Sequence, residues 1–99
     1  MLLLQIDFPY YGPTGEEMAE GFKDLAHSIA KEEGLIWKIW TENRETKEAG
    51  GIYVFENLPA LEAYLDMHTK RVQSFGVTDI RSRIFDINEK LSAITKAPL

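Results

Sequence analysis

The chain has 99 residues, of which 44% are hydrophobic and 27% charged, enough for one small domain spanning 1–99. Asp and Glu outnumber Lys and Arg 16 to 11, and the resulting net charge of −5 argues against a nucleic-acid partner. There is no cysteine, hence no disulfide framework and no thiolate metal site, and no apolar run approaches the ~18 residues of a membrane span. A cytoplasmic protein with no membrane partner is expected. The opening MLLLQIDFPYYG lacks a basic leader region and alternates like a strand.

Residues 2–8 place Leu2, Leu4, Ile6 and Phe8 on one face and Leu3, Gln5 and Asp7 on the other. PYYGPTG breaks that strand. Thr14 followed three residues later by Glu17 predicts a capping box, and Met18, Phe22, Leu25 and Ile29 predict one helix behind it. Gly34 stands where a C-terminal cap belongs. LIWKIWTEN (35–43) predicts a second strand, RETKE a charged loop and 51–56 a third strand, together a hairpin. Asn57 or Leu58 caps a second helix with Pro59 in its first turn. Its apolar stripe is Leu61, Tyr64, Leu65, His68, Val72 and Phe75, and Gly76 ends it. Residues 78–87 alternate as a fourth strand, and Asn88 opens a short helix carrying Leu91 and Ile94.

The order β-α-β-β-α-β plus a short helix predicts an α+β, ferredoxin-like fold, with one antiparallel sheet and both long helices on one face. Strict alternation assigns Trp37 to the helix side. The opposite face then receives Gln5, Asp7, Lys38, Trp40, Glu42, Arg81, Arg83 and Phe85. Tyr53 and Phe55 join that face unless a bulge at Gly50-Gly51 shifts their register. A face so rich in aromatics and opposite charges predicts a homodimer built sheet against sheet.

No phosphate loop, nucleophile elbow or zinc signature is present, and no metal site is expected. His68 lies four residues after Tyr64, so the two share a helical face. A histidine there is either a core residue with one hydrogen-bond partner or part of a pocket. Trp37, Tyr64 and His68 together would make an apolar site with polar tips, the usual make-up of a small-molecule pocket. Gly50-Gly51 predicts a bulge or hairpin bend that curves the third strand and can aim Tyr53 at the cavity. Of the two glycines, Gly51 is expected to resist replacement more.

GLIWKIWTEN, EAGGIYVF, AYLDMHT and FDINEKLS, with the first strand through GPTGEEMAE, resemble the small YdhR-like monooxygenases along nearly the whole chain. That group belongs with the dimeric α+β barrels, which include antibiotic-biosynthesis monooxygenases. The resemblance implies a homodimer with facing sheets and a pocket in each protomer between sheet and helices. It implies oxidation of a small aromatic or quinol-like compound by O2 with no cofactor, because an electron-rich phenolate can itself pass an electron to O2. In that scheme Trp37, Tyr64 and Tyr53 hold the ring, and His68 is general base or hydrogen-bond partner. Two other functions compete: a non-catalytic dimer binding an apolar metabolite, and a haem-binding protein using His68 as ligand.

Overall fold

Alternation along the first strand gives it one wholly apolar side, and that side is the one the fold buries. The computed structural model describes residues 1–99. Its strands are β1 (Leu2–Pro9), β2 (Leu35–Asn43), β3 (Glu48–Phe55) and β4 (Arg81–Asp86). Its helices are α1 (Gly15–Gly21), α2 (Lys23–Ala30), α3 (Leu58–Ser74) and α4 (Glu89–Ile94). The strands form one sheet in the order β2-β3-β1-β4, every neighbouring pair antiparallel, in a ferredoxin-like α+β arrangement. Leu4 and Ile6 of β1 and Tyr53 and Phe55 of β3 pack on Ile29 of α2 and on Leu61 and Tyr64 of α3 to make the core.

The helix starts follow local chemistry. Asn57 accepts the Ala60 N–H at 2.9 Å at the head of α3, and Asn88 accepts the Leu91 N–H at 3.1 Å at the head of α4. Thr14 stands at the N-cap of α1 with extended backbone, but its side chain makes no capping bond. The carboxylate of Glu42, from β2, accepts the Gly15 N–H instead, at 3.1 and 3.2 Å. The predicted single first helix is divided at Phe22, directly after Gly21, where helix propensity is weakest.

The decisive irregularity lies in β2. Leu35 pairs with Phe55, yet Trp37 pairs with the next residue, Val54. Ile36 is therefore one residue too many on its strand, a β-bulge. One extra residue exchanges the two faces for everything beyond it. Lys38 pairs with Tyr53 and Trp40 with Gly51, on the helix side, while Trp37 and Ile39 go to the open face. This corrects the expectation from strict alternation, which placed both tryptophans on the wrong sides.

The predicted bulge at Gly50-Gly51 is absent. Gly51 pairs with Ile6 and Trp40, and Gly50 with Asp7 and Thr41, in unbroken register. Tyr53 and Phe55 consequently face the helices. The glycines serve close approach. A Cβ on Gly50 would stand 1.9 Å from the Ile6 carbonyl oxygen, while a Cβ on Gly51 would meet Cε of Lys38 at 2.6 Å. The first obstacle is backbone and the second a flexible chain end, so Gly50, not Gly51, is the more constrained position.

The open face of the sheet carries Ile39, Ile52, Gln5 and Arg83 in one row and Trp37, Val54, Leu3 and Phe85 in another. Ile39 is 53% exposed and Phe85 41%. The C-terminal tail lies against one end of this face, where the Trp37 indole donates to the Pro98 carbonyl at 2.7 Å. Arg81 of β4 binds Asp7 on the adjacent strand at 2.6 Å and also reaches Glu48. No helix is long and apolar enough to cross a membrane.

Candidate functional site

Between the helix side of the sheet and the helices lies a cavity of about 460 Å³. Its walls come from β1 to β3, α1, α2, the far half of α3 and the loops after β1 and α3. The lining is mostly apolar. Phe22 stacks on Trp40, with ring centroids 6.2 Å apart and planes inclined by 18°. That pair offers a flat aromatic surface. No carboxylate lines the cavity, and no group of three or more potential ligands could hold a metal ion.

The polar groups at the cavity are few and linked. His68 is buried on α3, its ring stacked on Tyr64 at 4.9 Å between centroids. Arg71, one turn further on, donates to His68 Nδ1 from Nε at 3.2 Å and from a terminal nitrogen at 2.9 Å. A guanidinium only donates, so Nδ1 must accept and the ring proton sits on Nε2. Burial, then the charges of Lys38 and Arg71, push the His68 pKa down to about 3. The imidazole is thus neutral at ordinary pH and has one N–H to offer. Tyr64 donates its hydroxyl to that of Tyr53 at 3.1 Å, which leaves the Tyr53 proton free to donate onward. Burial raises both phenol pKa values, that of Tyr53 to about 12, so both stay protonated.

Lys38 completes the set. Its Nζ lies 3.4 Å from the centre of the Trp40 ring and 4.7 Å from that of Tyr53. These are cation–π distances. Burial, and secondarily the Arg71 charge, push its pKa down to about 7. Tyr53, His68 and Lys38 thus bring an O–H, an N–H and an amine close to neutrality to one cavity, beside the hydroxyls of Tyr10, Tyr11, Thr41 and Thr78. Such a set suits an oxygen that carries, or is gaining, negative charge.

Of the residues proposed from sequence, His68 and Tyr53 line the cavity. Tyr64 stands directly behind them, stacked on one and bonded to the other. Trp37 does not join them, because the Ile36 bulge turns it to the open face. Trp40 and Lys38 take the places next to Tyr53, and alternation alone assigned both elsewhere. The bulge that moves them has no signature in LIWKIWTEN. Arg71 was also missed, although its i,i+3 spacing from His68 on one helix could have indicated it.

Solved structures with this fold include three informative relatives. A protein from Deinococcus radiodurans described as a putative antibiotic biosynthesis monooxygenase is 16% identical, with a TM-score of 0.60 over 89% of this chain and 93% of that one. The N63A mutant of SnoaB, a cofactor-independent oxygenase from Streptomyces nogalater, is 15% identical, with a TM-score of 0.62 over 88% and 92%. The structural-genomics protein YJCS is 21% identical, with a TM-score of 0.58 over 87% and 99%. At these identities the likeness is one of fold. Among curated proteins no sequence matches. The family described as "Putative mono-oxygenase ydhR" matches residues 3–98, nearly the whole length, and the chain belongs to that family.

Proposed function

We propose that the cavity binds a flat, electron-rich aromatic alcohol of the quinol type and presents it to O2, making the protein a cofactor-independent monooxygenase. One observation carries the reading: an aromatic cavity in which Tyr53 lies 6.4 Å from His68 between ring centroids and 4.7 Å from Lys38 Nζ, so that three polar groups share one region. Trp40 and Phe22 stack the ring. Tyr53 and His68 hydrogen-bond the ring oxygen and stabilise it as an oxyanion. The oxyanion passes one electron to O2, the resulting radical and superoxide combine into a ring peroxide, and after that peroxide takes up a proton its outer oxygen leaves as water with the hydrogen of the ring carbon, which becomes a carbonyl. His68 acts here as a hydrogen-bond donor, since its Nδ1 is occupied by Arg71 and its Nε2 already bears the proton. Membership of a mono-oxygenase family and a fold shared with a cofactor-independent oxygenase support the reading.

Haem fits this site poorly. His68 is 4% exposed, with one ring face stacked on Tyr64 and one nitrogen held by Arg71. Oxygen uptake with a panel of quinols and hydroxylated anthrones tests the proposal. Uptake in proportion to protein is expected. Saturable binding of the same compounds without uptake would leave a non-catalytic binder.

The open sheet face supports a homodimer. Ile39 and Ile52 lie side by side on β2 and β3, and Leu3 and Phe85 on β1 and β4; with Arg83 and the Asp7–Arg81 pair they make a face that a second copy would cover. Wild type should sediment at about twice the 11.3 kDa chain mass. Ile39→Asp places an unpartnered carboxylate in that contact and should give a monomer at micromolar concentration. A wild-type monomer, or an Ile39→Asp dimer of unchanged affinity, would count against this face.

A further inference from the structure

We infer that Lys38 is the base of the cavity: its neutral amine takes the proton of the aromatic hydroxyl bound over Trp40, and the ammonium so formed holds the oxyanion. This deepens the proposed function and rests on its reading of the cavity as a site for an aromatic alcohol.

His68 has no free lone pair, because Nδ1 accepts from Arg71 and Nε2 carries the proton. Tyr53 is a protonated phenol, whose oxygen is far too weak a base to take a second proton. No carboxylate lines the cavity. A proton leaving the ligand therefore has one side chain to go to. Lys38 Nζ makes no salt bridge and no hydrogen bond with the protein, and it lies against the faces of Trp40 and Tyr53. A buried lysine with no anionic partner and with the cationic Arg71 nearby is poised to lose its proton, against the modest pull of the two ring faces on the ammonium.

The backbone holds it there. Lys38 and Gly51 lie on the helix side of adjacent strands, and Cε of Lys38 occupies the space where a Gly51 side chain would stand. Gly51 thus leaves a trough in the sheet through which the lysine stem runs. This answers why a glycine sits mid-strand at a position that needs no unusual backbone angle.

The titratable and charged groups turned toward Lys38 are Tyr53 from β3, His68 and Arg71 from α3, and Tyr10 from the loop after β1. The tyrosines are neutral and so is His68, while Arg71 is cationic and favours the neutral amine. The amine pKa of about 7 agrees with this geometry. In the step itself the ligand O–H bond breaks and an N–H bond forms on Nζ. The O–H electron pair stays on oxygen, and no electron is transferred. The ligand class follows: an aromatic ring bearing an ionisable hydroxyl, preferred over the same ring without one.

The test uses β-naphthol and naphthalene as probes at slightly alkaline pH, where free naphthol is un-ionised. Wild type should bind β-naphthol at least tenfold more tightly than naphthalene, and absorption should show the bound form as naphtholate. Calorimetry in two buffers of different ionisation enthalpy should find no proton released to solvent, because Lys38 keeps it. Lys38→Met should lose tenfold or more in β-naphthol affinity, bind naphthalene unchanged and leave bound naphthol neutral. Lys38→Arg keeps a charge but cannot accept a proton, so any naphtholate it binds should release one proton to buffer. Equal binding of the two probes, no binding of naphthol, naphtholate persisting in Lys38→Met, or proton release by wild type would each overturn the assignment. Naphtholate bound by wild type with no oxygen uptake from any quinol would sink the oxygenase reading and leave Lys38 standing. Oxygen uptake intact in Lys38→Met would do the reverse.

Discussion

His68→Ala should abolish measurable turnover of any quinol the protein oxidises, weaken its binding by roughly 10- to 100-fold, and cost about 1–3 kcal/mol of stability. The sequence alone set a core role against a pocket role, with opposite signatures for this variant. The structure joins the two. His68 is buried, stacked on Tyr64 and bonded to Arg71, and it also lines the cavity. Truncation strips Arg71 of its acceptor, uncovers the Tyr64 ring and removes an N–H from the cavity wall. Activity per folded molecule separates these effects, and unchanged activity in a destabilised variant would sink the functional role. A pH series gives a second check. The His68 pKa drops from an ordinary 6.5 to about 3 on folding. Between those values the unfolded chain binds a proton that the folded chain refuses. Stability therefore falls as pH drops through that window, by up to about 1.4 kcal/mol per pH unit for one proton, and the dependence ends below the folded value. His68→Gln has no such proton, so its urea-unfolding stability should fall less steeply from pH 6.5 downward. Superimposable slopes for the two proteins would show that His68 is not held neutral.

Gly50→Val should lose more than ~3 kcal/mol or fail to fold, the severe end of overpacking. The added Cβ would fall 1.9 Å from the Ile6 carbonyl oxygen and 2.8 Å from the Asp7 Cα, both backbone atoms of the adjoining central strand. Neither can yield without opening the β1–β3 ladder, the pairing that carries the core residues Leu4, Ile6, Tyr53 and Phe55. Gly51→Ala meets first the end of the Lys38 chain, which can swing aside, and then Ile39 O and a Tyr53 ring carbon at 3.2 Å. It should be much the milder change in stability, while displacing Lys38 from its trough. In a domain of this size each kcal/mol moves the melting temperature by roughly 4–8 °C, so a thermal scan resolves the two variants. Equal melting temperatures for Gly50→Ala and wild type would remove the close-approach explanation.

The sequence by itself determined the order of strands and helices apart from the break at Phe22, the start of the helix at Asn57 or Leu58, the apolar face of β1 and the helix that carries His68. Those features rest on contacts within a few residues: Asn57 reaches Ala60, Tyr64 stacks on His68, and period-two alternation sorts Leu4 from Gln5. It also set Tyr64 beside His68 on one helical face with Trp37 as their partner, and aimed Tyr53 at the cavity through a bulge; Trp37 lies on the other face, and Tyr53 faces the helices through regular pairing. What it could not determine was the face of β2. Side-chain direction in a strand depends on counting residues from a paired neighbour, and Ile36 adds one to the count. Only the pairing of Leu35 with Phe55 and Trp37 with Val54 reveals it. That one residue sends Trp37 out to Pro98 and brings Trp40 and Lys38 into the cavity. The same holds for Gly50 and Gly51, since the atoms they make room for, Ile6 O and Lys38 Cε, belong to the strands on either side. Local sequence carries the period of a strand. Its phase against its neighbours is a property of the assembled sheet, and in this protein the phase of β2 decides which side chains line the cavity.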